Sequence, residues 1–220
     1  MTKPVAAREP MRRNSRSNRA RILATARQEL GRNPDVTLEE LARAAGVVRR
    51  TLFGHFPGRA ALLEALAEEA AEAIRNLAAA GAARPTESAD RALAYFNLSL
   101  WPVGDRFRML VALAQRDLGP NRIAEILAPA RAETTAILER GQREGVFHTP
   151  LPPAVLSAAL EAMTVSLLEA VNTGALEDNG TRIAVATLIA AGVPHEQASA
   201  VVEEVAAVAE ADAERVTDDT

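Results

Sequence analysis

TLEELARAAGVVRRTLFGHF, residues 37–56, is the stretch whose reading decides the fold. Thr37 followed three residues later by Glu40 has the form of a capping box, in which the threonine hydroxyl accepts from a first-turn amide and the glutamate reaches back to the cap. A short helix follows, to about Ala44. Ala45-Gly46-Val47 then makes a tight turn, with Gly46 free to take positive φ, and a second short helix runs from about Val48 to Gly54.

Two short helices joined by three residues bury little by themselves. The segment before them supplies what they lack: Ile22, Leu23, Ala26 and Leu30 recur at helical spacing, and Gly31 with Asn33-Pro34 ends that helix. Packed with Leu38, Leu41, Val47, Leu52 and Phe56 it makes a three-helix head over residues 18–60. Residues 1–17 carry Arg8, Arg12, Arg13 and Arg16 among Pro, Ser and Asn without an apolar period, and read as a disordered basic arm.

Beyond the head, residues 61–220 read as a larger helical body. Ala60 to Ala80 form one long helix with Leu62, Leu63, Leu66, Ala70, Ala73, Ile74 and Leu77 on one face. Further helices fall at about 88–100, 106–117, 121–128, 130–144, 153–173, 181–191 and 195–209. The separators are Gly81 to Thr86, Trp101-Pro102, Gly119-Pro120, Gly145 to Pro153, Gly174 to Gly180 and Gly192-Val193-Pro194. The fold class is all-α. Segments 153–173 and 181–191 are apolar over most of their circumference. Either they form the body's centre, or they pack against the same pair in a second copy about a two-fold axis; the homodimer is the reading preferred here.

Composition agrees with a helical protein: aromatics make up 3% of the chain, and β-branched residues are scattered instead of alternating. The absence of cysteine excludes disulfides and thiolate chemistry and leaves the cytoplasm as the expected location. No uninterrupted apolar run long enough for a membrane span is expected. The net charge of −4 conceals a division. Residues 1–60 hold 13 Lys+Arg against 5 Asp+Glu, a net of +8, whereas residues 61–220 hold 12 against 24, a net of −12. A basic head on an acidic body directs one face toward nucleic acid and turns the rest away.

A recognition helix presents the side chains of its first turns to base edges in the major groove. Arg49 and Arg50 meet that requirement, since each guanidinium can bond guanine O6 and N7 in a two-pronged pair. Thr51 suits a phosphate or a thymine methyl. His55 and Arg59 follow as phosphate contacts.

With these residues in place, the chain resembles the TetR family of repressors. Thr37, Leu41, Ala42, Ala45, Gly46, Val47, Leu52, Phe53, His55, Phe56, Arg59 and Leu62 fall at matching places of the family's head pattern, and the resemblance covers residues 18–66. It adds Thr37, Val48 and Phe53 to the DNA-facing set. Val48 stands where the family often has a capping serine, Phe53 where it often has a phosphate-binding tyrosine, and Arg50 where the residue is usually small. The resemblance implies palindromic operator DNA as partner, bound by a homodimer, and a small-molecule effector that releases it.

The expected effector lining is Tyr95, Phe96, Trp101, Phe107, Met109, Gln115, Phe147 and Met163, although the same side chains serve equally as plain core. No cofactor and no metal site are expected. Among other classes, an architectural DNA binder would share the head but would not need so large an apolar body. An enzyme would need a motif that is absent: there is no G-x-S-x-G, P-loop, G-x-G-x-x-G or H-E-x-x-H, and His55, His148 and His195 lie far apart in sequence.

Overall fold

A computed structural model describes residues 8–82 and 88–218, and every regular element among them is an α-helix. In chain order these are α1 (Arg8–Arg32), α2 (Leu38–Ala44), α3 (Arg49–His55), α4 (Arg59–Ala82) and α5 (Ala89–Asp117). They are followed by α6 (Pro120–Arg143), α7 (Pro153–Asn172), α8 (Thr181–Ala190) and α9 (His195–Asp218). Two compact units divide them. The first takes the chain up to Glu69 together with Met109–Ile123, and the second takes Ala70–Arg108 and Ala124 onward.

The first unit is the helix-turn-helix head. Ile22, Leu23, Ala26 and Leu30 of α1 are buried with Leu41, Leu52, Phe56, Leu62, Leu63 and Leu66, so the apolar stripe read from the sequence is the one that packs. The start of α4 thus belongs to this core, which is wider than residues 18–60. Charged pairs fasten its rim: Arg27 of α1 pairs with Glu69 of α4, and Arg122 of α6 bonds Glu64 at 2.8 Å and Glu68 at 3.2 Å. Helix α1 begins at Arg8, well before Asn18. Residues 1–7 of the expected arm, the side chains of Arg8, Arg12 and Arg13, and most of the expected loop 81–86 lie outside the described residues.

In the second unit two expected breaks are absent. Helix α5 runs through Pro102 and α6 through Pro129, so the divisions expected at Trp101-Pro102 and between 128 and 130 do not occur. A proline inside a helix has no N–H for the carbonyl four residues back and costs about 3 kcal/mol. Both helices carry buried residues on either side of their proline: Leu93, Phe96 and Phe107 on α5, Ile126, Ala130 and Ile137 on α6. That packing outweighs the local penalty.

Close approach needs glycine at two places in this unit. At Gly141 of α6 an added methyl would overlap the Phe147 ring and lie 2.8 Å from the Ala89 Cβ of α5. At Gly180, which precedes α8 with φ +101°, a methyl would lie 2.6 Å from the Trp101 ring, in a conformation other residues rarely adopt. A half-buried two-bond pair, Arg131 to Glu161 at 2.9 and 2.6 Å, ties α6 to α7.

Asp90, in the first turn of α5, is buried at 6% exposure. Burial pushes its acid up. The Ser88 hydroxyl at 2.6 Å, the Arg91 amide at 2.9 Å and the Gln197 side chain at 3.0 Å together more than offset this and hold the carboxyl below its ordinary value. A group depressed in the folded state adds stability above its unfolded pKa of about 3.9, and that stability fades as pH falls through the lower folded value. Asp90→Asn should cost about 1–3 kcal/mol at neutral pH and flatten urea stability measured against pH in that acid window. An unchanged acid limb would remove Asp90 from this role.

Helix α7 corrects one expectation. By length and composition it is apolar enough to cross a membrane, although no uninterrupted run announced it, and 22% of its most apolar window is buried. Core and interface helices pass the same test.

Candidate nucleic-acid interface

The head's DNA-facing geometry is set by two helix ends and the turn between them. Thr37 caps α2: its hydroxyl accepts from the Glu40 amide at 3.2 Å, and the Glu40 carboxylate accepts from the Thr37 amide at 2.8 Å and hydroxyl at 2.7 Å. Those bonds, the backbone one first, hold the Glu40 carboxyl below its ordinary value. Gly46 takes φ +63° in the turn, and an added Cβ there would meet nothing, so conformation alone selects glycine.

Helix α3 then starts at Arg49. Val48 caps it in an extended conformation with no side-chain hydrogen bond and stands 69% exposed. The cap that Ser, Thr, Asp or Asn would supply, about 1 kcal/mol, is missing. Arg49 and Arg50 are exposed on the first turn, Thr51 and Phe53 are half-buried, and Leu52 and Phe56 are sealed in the core. The helix therefore divides as its period requires, with an inner face of Leu52 and an outer face of arginines. His55, in the last turn, is half-buried, its ring 6.2 Å from that of Phe56.

Three contacts here have no signal in the sequence. The Arg49 guanidinium pairs with Glu39 of α2 at 3.1 Å and lies 5.0 Å over the Phe53 ring. Arg19 of α1 lies 5.4 Å over Phe56. Arg59 turns its guanidinium onto the α1–α2 loop, donating to the carbonyl of Pro34 and, at 3.0 Å, to that of Val36, with Asp117 at 3.6 Å. Each joins residues distant in the chain, which spacing cannot reveal.

The residues expected to line an effector site lie mostly in the second unit. Phe96, Phe107 and Phe147 are buried there, Tyr95, Trp101 and Met163 half-buried. The side chains of Met109 and Gln115 lie outside the described ones. Trp101 abuts Gly180 and Phe147 abuts Gly141, so both rings have structural neighbours. Asn97 returns its amide to the Leu93 carbonyl at 2.8 Å. A surface depression among Glu177, Asp178, Asn179, Thr181 and Arg182 includes none of the eight.

Comparison with known proteins agrees with this geometry. Residues 22–66 match the model of the bacterial regulatory proteins of the tetR family. By this head the chain belongs to the tetR family. No curated protein matches. Among solved structures, the fold is similar to the MbdR regulator from Azoarcus sp. CIB, at 20% identity over 82% of this chain and 98% of that one, with a TM-score of 0.66. It is also similar to PfmR, a TetR family transcriptional regulator from Thermus thermophilus, at 16% identity over 78% and 97%, TM-score 0.65. A gamma-butyrolactone receptor described as ArpA-like shares 21% identity over 90% and 98%, TM-score 0.64.

Proposed function

We propose that the protein is a ligand-responsive transcriptional repressor of the cytoplasm, without enzymatic activity. It binds palindromic operator DNA as a homodimer and is released by a small molecule. One observation carries the reading: Arg49 and Arg50 stand exposed on the first turn of the second helix of a helix-turn-helix. Arg49 reads a guanine edge, Arg50 a neighbouring base or phosphate, and Thr51 and His55 contact phosphates. Thr37, Val48 and Phe53 border the groove. The test is duplex binding by the purified protein, with the R49A/R50A double variant as its control. Equal binding of all duplexes by both proteins would remove the sequence-reading role.

Arg59 acts in this reading as a brace and not as a phosphate ligand. Its guanidinium satisfies two loop carbonyls and faces Asp117, fixing the entry to α2. Hydrogen bonds from a charged donor contribute about 1.5–3 kcal/mol. Arg59→Ala should therefore lower the melting temperature of the head and leave the salt dependence of DNA binding unchanged. A salt slope reduced by about 0.9 would return Arg59 to a phosphate.

The homodimer rests on apolar surface. Helix α7 buries only Leu156, Ser157 and Leu160 on one side, leaves Val155 52% exposed, and packs on α8, where Ile189 is 41% exposed. Paired about a two-fold axis, α7 and α8 of two copies would cover these side chains. The V155E/I189E double variant should sediment as a monomer and lose operator affinity, because two heads no longer bind as one. A dimer of undiminished strength would move the interface elsewhere. The effector is a small, largely apolar molecule taken up among Tyr95, Phe96, Trp101, Phe107, Met109, Gln115, Phe147 and Met163, a reading supported by the similarity to a gamma-butyrolactone receptor. It acts by favouring the conformation that does not bind DNA.

A further inference from the structure

Glu39 is a misplaced charge for a DNA-binding head. It is an exposed carboxylate in the first turn of α2, beside the helix that would enter the major groove, where phosphates repel it. It is not needed for the cap, which Thr37 and Glu40 complete between themselves. Its one described partner is Arg49, the exposed guanidinium at the start of α3.

We infer that Glu39 is a specificity-determining residue, an internal stand-in for the DNA that holds Arg49 off the phosphate backbone until a guanine edge replaces it. This rests on the repressor reading above and concerns the same face. Arg49 is gripped from two sides, by the Glu39 carboxylate at 3.1 Å and by the Phe53 ring 5.0 Å below the guanidinium. The ring can stay in place when the partner changes, since stacking uses the guanidinium face and hydrogen bonding its edge. Guanine offers O6 and N7 side by side, a two-acceptor edge equivalent to the carboxylate. Adenine presents only N7 beside a donor, and thymine a single O4. At a guanine the exchange is even. At other base pairs Arg49 stays with Glu39, and one positive charge is withheld from the phosphates that supply sequence-independent affinity.

The pair is exposed on both sides and is worth no more than about a two- to fivefold change in occupancy. That size suits the role: a buried pair would not open for a base. The tyrosine often found at position 53 in the family would offer the same ring.

The experiment is a double-mutant cycle in the full-length protein: wild type, E39Q, R49A and E39Q/R49A, each titrated with the selected operator and with a random-sequence duplex of equal length over a range of salt. E39Q should tighten random-duplex binding about fivefold near physiological salt and steepen its salt slope by about 0.9, one added phosphate contact. In the R49A background the same change should do neither, and the operator's slope should stay as in wild type, because there Arg49 is on the base. An effect of E39Q that is equal with and without Arg49 would make Glu39 a plain field charge and overturn the inference. No effect in either background would overturn it as well. Failure of the repressor reading shows separately, as a wild-type protein that prefers no duplex.

Discussion

Gly141→Ala should unfold the second unit at markedly lower denaturant. The added methyl has no free volume: it would overlap the Phe147 ring and sit 2.8 Å from the Ala89 Cβ. Phe147 is 3% exposed and Ala89 fully buried, so neither can swing outward. The loop that carries Phe147 is pinned in turn, since Gln142 donates to the carbonyls of His148 and Leu151, both at 2.9 Å. Relief must come from separating α5 and α6. Overpacking of this kind costs about 1–3 kcal/mol and sometimes more, and with two clashing neighbours the upper end is expected here. Urea unfolding followed by circular dichroism would show it. A midpoint equal to that of wild type would mean that Phe147 has room to move, which would revive it as a pocket wall.

Arg49→Ala should leave stability almost untouched and remove most of the sequence preference. Its side chain is 70% exposed, and the pair it makes with Glu39 adds little to folding. A two-pronged bond to guanine supplies about 1–3 kcal/mol of discrimination in each half-site. A two-fold dimer loses it twice, about 2–6 kcal/mol over a whole operator. Competition between the selected operator and variants changed at single positions would locate the effect. Relaxation confined to one base pair per half-site is expected. An even loss across all sequences would put Arg49 on a phosphate and leave Arg50 as the reader.

The parts of the head that obey local rules were legible in the sequence. The capping box at Thr37 and Glu40, the glycine turn and the limits of α2 and α3 depend on neighbours within four residues, and the structure has them where the pattern puts them. The buried set from Ile22 to Phe56 follows from helical period alone. Longer helices were less legible for the same physical reason. Pro102 and Pro129 are breakers by local rule, but helices of 29 and 24 residues gain enough from packing to run through them. Asn18 read as the start of order because the preceding residues lack an apolar period, yet α1 begins at Arg8.

Charged contacts were illegible. Arg49 and Glu39 are ten positions apart, Arg59 and Val36 are 23 apart, and Arg122 and Glu64 are 58 apart. Only the folded chain brings them together. The outward guanidinium of Arg49 could be anticipated from its place on the helix, whereas the inward one of Arg59 could not.

The central claim is that this head reads sequence. It is tested most directly by selecting bound duplexes from a random pool with the purified full-length protein, at one stated salt concentration and again at a lower one. An inverted repeat with a guanine at the same position of each half-site is the expected result, its half-sites one helical turn or a multiple apart. Recovery of no shared sequence at either salt concentration would contradict it.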